Sequence, residues 1–289
     1  MGLWDGCAVL VKALLYASTL GAAGGVGFLA YAPSLLEHTA RRSIARLLLV
    51  LILAALLASA ARVLVTAGSL SGDASGMLDA GLLRLVWHGG EGRAALIRAA
   101  GLVLAIPALA RRGRPGWLAL LGAAAAATSF AWIGHTRAVG WRTLPWLLAV
   151  HLLAAAFWLG ALAPLLIQAR RAQSGAIAAV AARFSGAAVF AVGALLAAGL
   201  IVLAVLLPRP SALWSSLYGR IAGLKIALVA CLLALAALNK QRLVPRIATG
   251  DRGAVRRLRQ SIGAEMMVAA LILLVTAALT TLTGPPNLD

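Results

Sequence analysis

The chain has 289 residues, of which 62% are apolar and only 12% charged, and its mean hydropathy is +0.96. Soluble domains carry about 25% charged residues, so an ordinary soluble domain is excluded and a polytopic membrane protein is implied. The formal net charge of +18 would suit a nucleic-acid binder, but the basic residues fall in short clusters between apolar runs, where a membrane protein needs them to set its orientation.

A membrane-crossing helix needs about twenty apolar residues. The sequence predicts eight, over 7–32, 44–70, 94–110, 116–135, 144–168, 184–207, 217–239 and 262–283. Backbone groups in hydrocarbon must be satisfied within their own segment, so the predicted fold class is all-α, one bundle of eight transmembrane helices forming a single domain over 1–289. The first run has only Asp5 ahead of it, with no basic n-region, which predicts a retained span and not a cleaved signal peptide. Cys7 stands at the very start of that span and Cys231 lies deep in the seventh, so both are expected to be free thiols.

The connection over 71–93 is the longest on its side. Met77, Leu78, Leu82, Leu85 and Val86 recur there at helical spacing, which predicts a short interfacial helix. Its end brings His88 and Glu91 outward, and Asp73, Asp79 and Glu91 make this loop a place for a cation to dock unless it is simply solvated. Sixteen basic residues lie in the connections after spans one, three, five and seven, and five in those after spans two, four and six. The positive-inside rule then predicts both termini on the periplasmic side.

Ionisable groups inside spans are costly and are functional candidates by default. His135 ends span four in a GHT triplet, and His151 lies about 10 Å inside span five at 1.5 Å per residue. The two can line one site near the outer face. Otherwise each is only a histidine bonded to a carbonyl or held at headgroup level. His151, Ala154, Ala155, Trp158 and Leu162 share one helical stripe, and the small residues of spans four and five permit close helix approach. Arg62, Arg98, Arg220 and Lys225 gather at the same outer level, whereas Glu265 opens span eight at the inner end beside Met266 and Met267. Arg98 and Arg220 can also be read as snorkelling to headgroups.

Two histidines with His88 nearby suit copper, and sulfur from Met77, Met266 or Met267 would favour the cuprous state. His88, His135, His151, Glu265 and Met266 are therefore the candidate metal ligands. A haem b reading uses His135 and His151 as axial ligands, with its propionates on Arg62, Arg98, Arg220 and Lys225. No nucleophile, base and oxyanion set is visible, so transport or binding is expected in place of catalysis.

The segments GHT at Gly134, HLLAAAFWLGALAPL at His151, RFSGAA at Arg183, LYGRIAGLKIALV at Leu217, LNKQRLVPR at Leu238 and LRQSIGAE at Leu258 resemble the copper-resistance protein D family, CopD, of bacterial inner membranes. The resemblance implies eight spans, copper handling at the periplasmic face, a periplasmic copper-binding partner of the CopC type, and copper passed inward. It implies polar roles for His135, His151, Arg220, Lys225 and Glu265. The chain departs from the family in having little methionine on the outside and no added soluble domain. The expected function is copper movement from periplasm toward cytoplasm, with a haem-containing electron carrier or a scaffold for copper delivery to an oxidase as alternatives.

Overall fold

The computed structural model describes residues 2–110, 114–133, 141–171, 174–207 and 209–284. They form helices α1 (Leu3–Tyr31), α2 (His38–Ser71), α3 (Ala80–His88), α4 (Gly90–Ala105), α5 (Trp117–Thr128), α6 (Leu144–Arg171), α7 (Ser174–Leu206), α8 (Leu217–Leu238) and α9 (Arg252–Leu282). Seven helical stretches are long and apolar enough to cross a membrane. The remaining apolar stretch, Trp117–Trp132, is shorter. It tightens into a 3-10 turn at Ser129–Trp132, and at roughly 25 Å it falls short of a 30 Å hydrocarbon core.

Local chemistry sets the boundaries. Gly72 takes a left-handed φ of 83° and returns its N–H to Gly68 O, which ends α2. The Asp79, Ser216 and Asp251 side chains accept from the backbone N–H groups of Leu82, Gly219 and Ala254, and so start α3, α8 and α9. Pro107 cannot donate a helical hydrogen bond, and the helix breaks after Ala105 before resuming at Pro107–Ala110. At the far end of α8 the backbone widens into a π turn over Asn239–Leu243 and then continues to Ala248.

Helix α1 is the centre of the bundle and packs against α2, α5, α6 and α9. Its closest approach is to α6, where a Cβ on Gly160 would lie 2.6 Å from the Gly24 Cα. The small residues predicted to permit such contact do so here. The main core includes Phe28, Leu48, Trp158, Leu162 and Ile177. Residues 80–88 form the predicted short helix, with Leu85 and Trp87 exposed along it. Among the described residues Cys7 and Cys231 are free, as expected.

Candidate functional site

Polar side chains gather inside the bundle at the end where α1 begins and α9 finishes. Lys12 Nζ donates to Thr280 O at 2.9 Å, and the Tyr16 hydroxyl lies 3.4 Å from Thr280 Oγ1. Tyr16 meets Phe130 edge-on at 4.8 Å, and the Arg98 guanidinium lies 4.3 Å from the centroid of the same ring. Arg98 is 1% exposed. Its Nε donates to Ser129 Oγ and its Nη1 to Ser59 Oγ, each at 3.1 Å, while Nη2 has no partner among the described residues. Arg62 pairs with Glu91 at 3.3 Å.

This arrangement follows from helical spacing. Ser59 and Arg62 lie one turn apart on α2, and Glu91 and Arg98 two turns apart on α4, so each pair shares a face. Lys12 and Arg98 both sense the charges of Arg62 and Glu91. Arg62 thus pairs directly with Glu91, while Lys12 and Arg98 bond to other groups and lie within electrostatic range of that carboxylate in a setting that screens charge poorly. Arg98 is a buried, hydrogen-bonded group and does not snorkel.

Seven residues into α6, His151 Nδ1 lies 2.9 Å from Leu195 O on α7. A carbonyl can only accept, so the ring carries a proton on Nδ1, and Nε2 of the neutral imidazole holds the lone pair. A backbone carbonyl on one ring nitrogen is a common way to orient an imidazole whose other nitrogen binds a metal. Gly199 makes the room, since a Cβ there would come within 2.9 Å of the His151 ring. Lys225 on α8 is close enough to act electrostatically on His151, and this half-buried ammonium has no ion pair among the described residues.

At the other end of the bundle, Leu258, Ile262 and Glu265 form a buried stripe on α9, each 3% exposed. Asn239, at the start of the π turn, donates from Nδ2 to Glu265 Oε1. Met266 and Met267 lie outside that stripe, 36% and 67% exposed.

The predicted site residues therefore fall into separate places. Arg62 and Arg98 belong to the cluster around Glu91, His151 and Lys225 to the α6–α7–α8 contact, and Glu265 to the opposite end with Met266 turned outward. Arg220 and His88 are exposed. His135 lies outside the described residues. The three loop acids are engaged separately. Asp73 is held below the usual carboxylate range by the Ser75 hydroxyl and backbone N–H at 2.6 and 2.8 Å, Asp79 caps α3 and Glu91 binds Arg62. No group of three or more His, Cys, Asp or Glu side chains that could hold a metal converges among the described residues.

Sequence reasoning missed Lys12, Asn239 and Gly199. Lys12 was open to view as a charge inside the first apolar run. Asn239 could be read only as the end of a span, and Gly199 carries no signal without His151, its neighbour on α6.

The fold and these buried polar groups define a multi-pass helical membrane protein. Two family models match it, Copper resistance protein D-like, N-terminal domain, over residues 3–144 and Copper resistance protein D over residues 178–279. The chain belongs to the copper resistance protein D family and is a multi-pass inner-membrane protein of copper resistance. No match was found among the curated proteins or among the solved structures.

Proposed function

We propose that the protein carries copper across the inner membrane from periplasm to cytoplasm, with His151 as an entry ligand. The observation that carries this reading is the His151 ring, oriented by Leu195 O at 2.9 Å with Nε2 left to coordinate. Imidazole is a common copper ligand, and the family supplies the metal. His135, and His88 at the rim, are the proposed co-ligands, and a periplasmic protein of the CopC type is the proposed donor. The distribution of basic residues supports eight crossings, with Trp117–Trp132 as the fourth, and both termini in the periplasm.

The haem reading is less well supported. It relied on cations needing propionates, yet Arg62 holds Glu91 and Arg98 holds Ser59 and Ser129. Arg220 is exposed, which leaves Lys225 and one nitrogen of Arg98.

The test is cuprous-ion uptake into vesicles reconstituted with the purified chain, read by an internal copper-sensitive dye. Uptake in the wild type and its loss in His151→Ala are expected. Copper release in the opposite direction only, or unchanged uptake in His151→Ala, defeats the reading. A strong Soret band with no bound copper replaces it with the haem carrier.

A further inference from the structure

Helices α6, α7, α8 and α9 line an open-sided cavity of about 250 Å³, bordered by Trp158, Phe184, Val192, Ile262, Asn239 and Glu265. A dry cavity of about 150 Å³ is large enough for a benzene ring, so this one accommodates a substituted single ring. Most of its wall is apolar, and its polar end offers acceptors. Glu265 is 3% exposed and forms no ion pair among the described residues. It accepts from Asn239 Nδ2, whose own Oδ1 is buried with no donor. Lys240 also borders the cavity but is exposed, and no ion pair joins it to Glu265.

A buried carboxylate without a cation is costly. Glu91, a carboxylate of α4, has Arg62; Glu265 has an amide donor and open space. The backbone adds a second observation, because the helix departs from α geometry at Asn239, and isolated π turns inside helices are frequent at functional sites.

Copper is a poor match for this end of the bundle. Its soft cuprous form prefers sulfur and imidazole, while the polar groups bordering the cavity are the Glu265 carboxylate, the Asn239 and Gln241 amides, the Ser185 hydroxyl and the exposed Lys240 ammonium, with no sulfur or imidazole among them. The walls favour an apolar body, Glu265 favours a positive charge, and Trp158 and Phe184 present aromatic rings of the kind that attract cations. We propose that this cavity binds a small lipophilic organic cation, a single-ring amine whose ammonium group meets Glu265 and whose ring packs between α6 and α7. This site is separate from the one at His151 and does not rest on copper movement.

The probe is benzylamine, cationic at neutral pH, titrated calorimetrically into the full chain in phosphatidylcholine nanodiscs, with benzyl alcohol and toluene as neutral rings of similar shape. The wild type is expected to bind benzylamine at least tenfold more tightly than either neutral ring. In Glu265→Gln that preference should disappear. Ala236→Phe, which fills the cavity and leaves the carboxylate in place, should abolish binding of all three.

Equal affinity for charged and neutral rings, a preference that survives Glu265→Gln, or binding indifferent to Ala236→Phe each overturns the proposal. Tight toluene binding without charge preference identifies an acyl-chain niche instead. Copper uptake measured on the same proteins separates the two readings. Uptake lost in His151→Ala with benzylamine binding intact leaves both standing, and a wild type that binds benzylamine but moves no copper defeats only the transport reading.

Discussion

Arg62 meets Glu91 through two nitrogens, Nε and Nη2, each 3.3 Å from Oε1, and so ties α2 to α4 inside the bundle. Lys12 and Arg98 lie within electrostatic range of this carboxylate without touching it. Removing Glu91 should therefore harm the protein more than removing any one cation.

Breaking a partly buried pair by deleting one partner costs about 3 kcal/mol. Glu91→Gln is expected to reach or exceed that, because Arg62 loses its partner while Lys12 and Arg98 lose a nearby anion. Arg62→Gln should cost less, since Glu91 keeps Lys12 and Arg98 in its field. Thermal unfolding of both variants in matched detergent checks the order. An Arg62→Gln protein less stable than Glu91→Gln would show that the pair acts alone and that no shared cluster exists.

The α1–α6 crossing gives a prediction of opposite signs on two glycines. A Cβ on Gly160 would press on Gly24 backbone at 2.6 Å, where nothing can swing aside, whereas a Cβ on Gly27 would meet nothing within 4 Å. Gly160→Ala is expected to destabilise by about 1–3 kcal/mol. Gly27→Ala should be neutral, or stabilising by about 0.5–1 kcal/mol from helix propensity. Melting temperatures that fall equally in both variants would mean that the close approach does not limit packing.

The helical class, the short helix near residue 80 and the small-residue crossing were legible from periodicity and composition, because each depends on local pattern. The short fourth helix was less so. Hydropathy extends over 116–135, but it does not register the tightening of the backbone at Ser129. Pairings between distant segments were the least legible. Arg62 reads as a lone charge in an apolar run, and its partner Glu91 lies 29 residues on in a stretch read as a loop. Likewise Glu265 and Met266 are neighbours in sequence, yet consecutive residues on a helix point in different directions, so one faces the cavity and the other lies half-exposed.

Orientation gives the third prediction. Sixteen basic residues on one side against five on the other favour termini in the periplasm, and with seven clear spans the outcome turns on whether Trp117–Trp132 crosses. A reporter active only in the periplasm, fused after Asp289, is expected to be on. A second fusion after Arg114 is expected to be off. If the C-terminal fusion is silent while the one after Arg114 is also silent, the chain makes an even number of crossings beyond that point and the short helix does not span.

The last prediction concerns His151 and His135. Ligands of one metal act as a unit, and a site that loses one of them loses most of its affinity, so effects within the site are not additive. His151→Ala alone should lower bound copper nearly as far as the His135→Ala, His151→Ala double variant. Gly199→Ala offers a gentler test of the same ring, because its new methyl would lie within 2.9 Å of the imidazole and must displace it. Copper affinity should weaken in Gly199→Ala with little change in folding, since the far end of a side chain can move where backbone cannot. His88→Ala serves as the rim control. Small additive losses from the two histidine variants would mean independent histidines and no shared site. A full loss in His151→Ala beside an unchanged His135→Ala would move the partner ligand elsewhere.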